Sequence, residues 1–426
     1  MTLSKLVPLS LTVAIAASLA ACGGKGEATA PAADTPAKPA FDLSQIKTPS
    51  VSFNVADLDP AVAACSDLNG FVNGKWLRAN PVPGDQVTWG SFEILRERSL
   101  EVQHALVQQA AAANAKAGSV QAQIGDIWKT GSDEAAIEAA GIAPLQPELD
   151  KIAALGDGAA IAGYLRDAYA RGQGFLFSLY ASPDFKDSAN VIAYVGQGGL
   201  GLPEKGYYFD ESQARIREAY VAYIEQMLAL SGVDAAQAKE QAKAVMALET
   251  RLAKASLSRI ELRDPAKRYN PVSAADADRQ TPNFSWTALF DTLKVPAKDK
   301  FSLAQPGFFA EVDMMLAEVP ATTWQAYLRF HTVDNAAPYL SSAFEQANFD
   351  FFSKTLRGQQ EMQPRWKRVL ESVNGAMGEA LGQLYVDAVF PAESKVAMQH
   401  LVENLSAALK TRLEGLPWMG EETKKK

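Results

Sequence analysis

The 426-residue sequence is poor in the residues that most often hold metals: it has two cysteines and three histidines. Two cysteines exclude a disulfide framework. His104, His331 and His400 are isolated, and none begins a His-Glu-x-x-His motif. His400-x-x-Glu403 begins the inverted zinc motif, but Asn404 stands where the second histidine is required. We interpret His400 and Glu403 as an exposed helical pair. Taken together, these residues give the sequence no complete set of catalytic residues.

Positive charge is also scarce, with 41 Lys and Arg against 49 Asp and Glu and a net charge of −8. Nucleic acid binding needs clustered positive charge, which argues against nucleic acid as a partner. The hydrophobic share of 48% and the charged share of 21% are close to globular averages. The chain is therefore expected to fold, as two or three domains or as one large domain with an insertion.

Long apolar runs are missing too. The stretch 6–19 is apolar but shorter than the roughly 20 residues of a membrane-spanning helix. Lys5 precedes it, and it ends in Leu19-Ala20-Ala21-Cys22, which is similar to a bacterial lipobox. This pattern predicts a signal peptide over 1–21 and lipidation of Cys22; the alternative is an ordinary signal peptide in which Cys22 is incidental. We expect a lipoprotein of the bacterial envelope that faces the periplasm. The predicted lipidated cysteine is followed by Gly23 and not by Asp, which in lipoproteins fits sorting to the outer membrane.

Residues 22–50 are expected to form a flexible, lipid-anchored tether. Positions 23–41 are mostly Gly, Ala and Pro and carry few large apolar groups, so they cannot bury enough surface to fold. Ser44-x-x-Lys47 follows. As a nucleophile motif it is weak, because the partner motifs that accompany it in known enzymes are missing.

From about residue 93 the hydrophobic periodicity is helical. The apolar residues at 216, 220, 223, 227 and 230 form one face, with Asp210 predicted as the N-cap and Gly232 as the stop. A second long helix is predicted from Trp366 to Leu384. Further helices are expected near 93–115, 119–130, 158–171, 235–258, 307–318, 321–346 and 392–414. The sequence therefore predicts a mainly α-helical fold.

Two short segments, 175–180 and 190–195, are rich in β-forming residues and predict a small β-hairpin within this helical body. The second is followed by Gly196-x-Gly198-x-x-Gly201, which matches the dinucleotide-binding fingerprint. A phosphate site requires a helix N-terminus directly after the glycines, whereas Leu202 and Pro203 indicate a turn. We therefore reject nucleotide binding.

Several short segments follow one another in order between about residue 58 and residue 420. They are CSDLNGFVNGKWL (65–77), PVPGD (81–85), WGSFEIL (89–95), QGGLGLPEKGYY (197–208), PRWKR (364–368), VN (373–374), GEALG (378–382), ESK (393–395) and LPWM (416–419). Together they resemble the neprilysin-like zinc metallopeptidases, a family that includes endothelin-converting enzymes and bacterial oligopeptidases of the O type. Leu68 departs from this family's pattern, which has an aromatic residue there.

This resemblance implies a mainly α-helical structure of two lobes that enclose a cavity, one lobe carrying zinc and the other a helical cap. Residues 51–420 would form the peptidase N-terminal helical domain, with 51–80 and about 390–426 flanking the catalytic lobe. The family's zinc motif, third zinc ligand and Asn-Ala-aromatic substrate motif do not occur in this chain. No catalytic or metal-binding residue is carried over, zinc belongs to the complete family enzyme, and this chain alone should be inactive.

The resemblance also suggests a substrate-cavity segment containing Thr88, Trp89, Gly90 and Glu93. Some family members have an arginine before the aromatic-Gly pair, and it binds the C-terminal carboxylate of the peptide. Thr88 replaces it here, which would weaken carboxylate recognition and favour internal cleavage. The alternative is that Thr88 is an ordinary surface residue.

The sequence thus leaves two functions open. In the first, the chain is the N-terminal domain of a membrane-anchored zinc metalloendopeptidase that hydrolyses peptides in an enclosed cavity, with the catalytic lobe supplied by the same or a separate chain. In the second, it is a non-catalytic lipoprotein that binds peptides or a partner. After lipidation of Cys22, Cys65 has either a disulfide partner beyond residue 426 or a free thiol.

Overall fold

The computed structural model describes residues 42–52 and 54–425. The predicted signal peptide, Cys22 and positions 22–41 of the predicted tether lie outside the described residues. Within the described part the fold is mainly α-helical, as the sequence predicts. The helices are α1 Leu68–Ala79, α2 Ser91–Ala112, α3 Val120–Ser132, α4 Glu134–Ala140, α5 Gln146–Ala153, α6 Gly158–Ala170, α7 Gly206–Phe209, α8 Ala214–Leu230, α9 Ala235–Ala255, α10 Ala274–Gln280, α11 Trp286–Leu293, α12 Pro306–Glu318, α13 Ala321–Ala336, α14 Ser342–Asn348, α15 Arg365–Val389, α16 Ala392–Glu414 and α17 Glu421–Lys425.

Helix boundaries follow local sequence signals. The predicted segments 93–115, 119–130, 158–171, 235–258, 307–318 and 392–414 correspond to α2, α3, α6, α9, α12 and α16 to within about three residues. Side chains of Ser119, Asp157 and Asp234 accept backbone N–H groups at the starts of α3, α6 and α9. Gly232, with φ +93°, follows α8 as predicted.

Two helix predictions need correction. Asp210 makes no side-chain cap bond, because a 3-10 turn over Glu211–Gln213 separates it from α8. The segment 321–346 is not one helix: it is divided into α13, a 3-10 turn at Ala337–Tyr339 and α14. Pro338 accounts for this break, since proline lacks an N–H group and its ring clashes with the carbonyl of the preceding helical turn. A π-helical segment, Phe349–Thr355, follows α14.

The predicted hairpin is part of a four-stranded sheet with the order β1-β2-β4-β3. β1 and β2 are antiparallel, and β2 pairs with β4 in parallel from Ala193↔Phe301 to Val195↔Leu303. Strands β3 and β4 were not predicted, because two or three residues carry no readable alternation. The strands are β1 Phe177–Pro183, β2 Val191–Gln197, β3 Pro271–Val272 and β4 Phe301–Leu303.

The chain forms two compact units, one of which is Leu43–Val386. Its core is formed by the helices from α5 to α14 together with the sheet, and its largest fully buried side chains include Trp286, Trp324, Tyr220 and Tyr327. The aromatic face predicted on α8 belongs to this core, since Tyr220, Tyr223 and Met227 are all buried. Close aromatic packing of this kind supplies much of the hydrophobic stabilisation.

The other unit contains the residues from Asp387 onward, which include α16 and α17. No residue of α16 is buried. His400 Nδ1 and Glu403 Oε2 lie 3.3 Å apart and both side chains are about 70% exposed, which confirms the exposed helical pair. No helix among the described residues has the length and apolarity needed to cross a membrane.

Candidate functional site

The four residues singled out near position 90 lie at the start of α2. Gly90 precedes the helix in an extended conformation and provides no side-chain cap. The hydroxyl of Thr88 donates to Glu93 Oε1 over 2.9 Å, and Glu93 lies in the first helical turn, where negative charge is favourable. Thr88 is exposed, whereas Trp89, Gly90 and Glu93 are half-buried. The structure therefore brings the four residues together around one helix N-terminus.

A polar cavity of about 640 Å³ opens beside this helix start. Its walls are residues 85–88, Arg96 of α2, the turn between α13 and α14, and parts of the chain between 345 and 375. Thr88 lines the cavity, but Trp89, Gly90 and Glu93 do not. No histidine is among the lining residues. The charged groups that line the cavity are carboxylates and guanidinium groups, such as Glu371 and Arg357.

Three charged groups of the cavity make no ion pair with another described residue: Arg96, Arg357 and Glu371. Arg96 Nη2 donates to the side-chain oxygen of Gln86 over 2.6 Å, and Arg357 and Glu371 are exposed. Guanidinium groups recognise carboxylate and carbonyl oxygens, and a carboxylate accepts N–H groups. The cavity thus offers both kinds of partner that a peptide backbone requires.

The rim of the cavity is fixed by Lys367, one of the residues of the PRWKR segment. Its ammonium lies 3.2 Å from Asp85 Oδ2 and 2.7 Å from Glu97 Oε2, and the Lys367 and Glu97 side chains are only about 10% exposed. Gln86 Nε2 donates to the other oxygen of Glu97 over 3.2 Å. Lys367 therefore joins the loop before α2, α2 itself and α15 through charge-assisted bonds that water reaches poorly.

The two arginines of the same segment both contact Glu345, which lines the cavity. Arg365 donates to the Gly131 carbonyl through Nε at 3.0 Å and Nη2 at 2.6 Å. Its Nη1 lies 3.2 and 3.3 Å from the two carboxylate oxygens of Glu345. Arg368 also pairs with Glu345, and its Nε donates to the Gln363 carbonyl over 3.0 Å. Burial lowers the pKa of Arg368.

Trp366, between these charged residues, stacks on His104 of α2 with ring centroids 4.4 Å apart. Trp128 of α3 also packs against the imidazole, with ring centroids 5.2 Å apart and the ring planes tilted by 52°. Burial lowers the pKa of His104, because the charged imidazolium would lose solvation here. His104 thus contacts two indole rings, and its imidazole is a packing group.

The glycine-rich turn after β2 is organised by a second cluster. Glu249, fully buried on α9, accepts hydrogen bonds from Tyr208 at 2.6 Å, Tyr220 at 2.9 Å and the Gly201 N–H at 3.2 Å. His331 Nε2 lies 2.8 Å from the same carboxylate. A Cβ at Gly201 would come within 1.7 Å of the Tyr220 hydroxyl oxygen. The turn is therefore a structural element, as the sequence predicts.

Not all of these side-chain contacts could be predicted from the sequence. The PRWKR segment was recognised, but the roles of its charged residues were missed. Basic residues next to an aromatic residue at the start of a predicted helix are a sequence signal that could have indicated these ion pairs and ring contacts. Arg357 and Glu249 gave no signal, because their positions depend on the tertiary fold.

The residues present do not fit a zinc ion. Among the described residues no three His, Cys, Asp or Glu side chains converge as a metal-binding group. His104 is stacked, His331 is bonded to Glu249, and His400 lies on the exposed α16. Cys65 is exposed and free. Zinc requires three or four converging ligands, so we derive no chemical step through a metal from these residues.

Comparison with known proteins identifies the family. The model of the N-terminal part of peptidase family M13 matches residues 64–426. This chain belongs to peptidase family M13. The resemblance to neprilysin-like and endothelin-converting enzymes is thereby confirmed, and so is the expected helical N-terminal region.

Curated M13 relatives include endothelin-converting enzyme-like 1 from Rattus norvegicus, which is 30% identical over 390 residues, covering 87% of this chain and 50% of that protein. Endothelin-converting enzyme 1 from Homo sapiens is 26% identical over 403 residues, covering 91% and 51%. The chain thus spans about half the length of the curated relatives it matches.

Among solved structures, the crystal structure of the Mycobacterium tuberculosis zinc metalloprotease ZMP1 in complex with an inhibitor has a TM-score of 0.81 and 32% identity. The match covers 88% of this chain and 57% of that one. PepO from Lactobacillus rhamnosis has a TM-score of 0.76 at 21% identity, which supports the M13 fold alone.

Proposed function

We propose that this chain is the N-terminal, substrate-enclosing part of a membrane-anchored zinc metalloendopeptidase that hydrolyses peptides in an enclosed cavity. The observation that carries the proposal is the M13 match over residues 64–426 in a chain that spans about half the length of its relatives. ZMP1, which has the same fold at 32% identity, is a zinc metalloprotease. The polar cavity beside Thr88 is the part of the substrate surface that this chain contributes.

The zinc ligands of the complete enzyme would lie in a catalytic lobe outside these 426 residues, on the same polypeptide or on a second one. Two facts support this: the sequence has no His-Glu-x-x-His motif, and the described residues offer no group of three ligands. Residues 51–80 and about 390–426 would flank that lobe. Apolar side chains spaced along α16 are 49–61% exposed and suit a helix that packs on a further surface: Met398, Leu401, Leu405 and Leu409.

The substrate preference follows from Thr88. Its hydroxyl already donates to Glu93, and it lacks the two parallel N–H groups with which an arginine binds a carboxylate. Internal cleavage is therefore favoured over removal of C-terminal dipeptides. In the complete enzyme, Thr88→Arg should increase dipeptide release from peptides with a free C-terminus, relative to the same peptides with a C-terminal amide. An unchanged ratio would contradict this part of the proposal.

The location follows from the N-terminal sequence. We propose that Cys22 is lipidated and anchors the protein in the outer membrane, facing the periplasm. Cells grown with labelled palmitate should incorporate label into the wild-type protein and not into Cys22→Ala. Recovery of the wild-type protein without lipid and free in the periplasm would count against an anchor.

The test of the main proposal begins with the coding sequence downstream of Lys426. If a His-Glu-x-x-His stretch follows, in frame or one base out of frame, the extended protein should hydrolyse a quenched-fluorescence peptide. A chelator should stop the reaction and zinc should restore it. The chain as given is the matched control and should be inactive. An unrelated downstream sequence, together with no partner that restores hydrolysis, would overturn the proposal.

A further inference from the structure

A second cavity, of about 660 Å³, lies beside the polar one. Its volume is within the roughly 300–1,000 Å³ typical of ligand pockets. Ile127 of α3, Ile137 of α4 and Val369 of α15 give it apolar walls, and Pro338 and Tyr339 close one side. Ligand pockets are lined predominantly by apolar side chains of this kind, which accept apolar groups of a ligand.

The two arginines at this cavity are already neutralised within the protein, whereas the third charged lining residue, Asp126, lies at an exposed position of α3. The guanidinium of Arg365 is used by the Gly131 carbonyl and by Glu345, and Arg368 also pairs with Glu345. The Gly131 position admits no side chain, since a Cβ there would lie 2.7 Å from Val369 Cγ1. The wall around Gly131 and Val369 is therefore closely packed, and neither arginine adds an unpaired positive charge to it.

The two cavities adjoin each other. Five residues line both of them, including Tyr339 in the turn before α14 and Ser372 and Gly375 on α15. The Tyr339 side chain is 62% exposed and stacks on no other aromatic ring of the described residues. A large exposed aromatic side chain between a polar and an apolar cavity is suited to contact a ligand that occupies both.

We propose that the apolar cavity is a subsite for a large hydrophobic side chain of a peptide whose backbone lies in the polar cavity, with Tyr339 as the specificity-determining residue between them. This inference rests on the proposed function for its ligand class, a peptide. The polar cavity supplies Arg96, Arg357 and Glu371 to the backbone, and the apolar cavity selects one side chain.

The test is peptide binding to the chain as it exists, measured by fluorescence anisotropy. The probe is a fluorescein-labelled nonapeptide of glycine, serine and glutamine with one central phenylalanine, and its twin has alanine in the centre. Burial of the larger side chain should make the phenylalanine peptide bind about tenfold or more tightly than the twin. Equal affinities, or no binding of either peptide, would overturn the inference.

Two variants locate the binding. Ala376→Phe fills the apolar cavity from an exposed position of α15, and Tyr339→Ala removes the ring between the cavities. Each should abolish most of the preference for the phenylalanine peptide. Ala160→Phe adds the same ring at an exposed position of α6 outside both cavities and should preserve the preference. Circular dichroism melting checks that each variant folds; if Ala376→Phe does not, Tyr339→Ala decides.

An uncharged aromatic dye, N-phenyl-1-naphthylamine, gives a second readout of the apolar cavity. Its fluorescence should rise with the wild-type chain, fall when the phenylalanine peptide is added, and fail to rise with Ala376→Phe. A dye signal that survives in Ala376→Phe would contradict the assignment. If the dye and peptide experiments fail, the subsite is excluded but zinc-dependent proteolysis by the extended protein is not. That activity is tested separately with the quenched-fluorescence peptide.

Discussion

The imidazole of His104 and the indole of Trp366 lie almost parallel, with their planes 11° apart and their centroids separated by 4.4 Å. The contact joins α2 to α15 across most of the sequence. Lys367, the next residue, bonds to Asp85 and Glu97. One short segment thus fixes both the packing and the charge pairing that shape the polar cavity.

His104→Phe should remove a pH dependence from the stability of the protein. Burial lowers the pKa of His104 in the folded state, while the unfolded state keeps a value of about 6.5. The imidazole therefore binds a proton more readily in the unfolded state than in the folded state. Wild-type stability consequently falls as pH falls through about 6.5. In urea titrations, the free energy of unfolding of the variant minus that of the wild type should increase as pH is lowered from about 8 to about 5.

His104→Gln separates the titration from the stacking. It cannot titrate, so its pH dependence should match that of His104→Phe. It also loses the stacked ring, so it should be less stable than His104→Phe at every pH by about 1 kcal/mol. A wild-type protein whose stability tracks His104→Phe across the whole pH range would contradict the prediction.

Lys367→Met should destabilise the protein by about 3 kcal/mol, since removal of one partner leaves the carboxylates of Asp85 and Glu97 in a poorly solvated place. The measurement is the urea midpoint and slope. Lys243→Met breaks an ion pair of similar length with Glu240, but both side chains are more than half exposed. This control should show no measurable loss, and equal losses would contradict the role given to Lys367.

Local signals predicted much of the fold. The period of apolar residues located α2, α9, α12 and α16, and the sequence context showed that the glycines after β2 form a turn. The break at Pro338 was also readable from the sequence but was missed. The predicted cap at Asp210 was wrong because the chain inserts a 3-10 turn before α8.

The cavity was largely beyond sequence reasoning. Lys367 and Asp85 are 282 positions apart, and no spacing rule connects residues at that distance. Strands β3 and β4 depend on pairing with β2, not on their own two or three residues. Thr88 was reached through the family resemblance alone; its bond to Glu93 and its place at the cavity required the structure.

Gly201→Ala should destabilise the protein by about 3 kcal/mol, because the new Cβ would overlap the Tyr220 hydroxyl. Tyr220 cannot move aside easily, since it is fully buried and donates to Glu249. Gly382→Ala is the matched control: its Cβ meets nothing within 4 Å in α15, so it should stabilise the helix by about 0.5 to 1 kcal/mol. Thermal melting compares the two, and a tolerated Gly201→Ala would show that the turn is less constrained.

Asp334→Asn should stabilise the protein at neutral pH. Burial raises the pKa of Asp334, although the hydroxyl of Tyr223 and the charge of His331 oppose the shift. The folded state therefore holds a proton that the unfolded state releases, so wild-type stability declines as pH rises from about 3.8 to the raised folded pKa. Asparagine has no such titration, and it retains an oxygen that can accept from Tyr223 and Asn348.

The stability difference between Asp334→Asn and wild type should grow as pH rises from about 4, then become constant above the folded pKa. Tyr223→Phe should behave in the opposite direction, because it removes a donor that stabilises the ionised carboxylate and so costs more at higher pH. Urea unfolding of the three proteins over the same pH series measures both trends. A difference for Asp334→Asn that does not vary with pH would mean that Asp334 has the same proton affinity in both states.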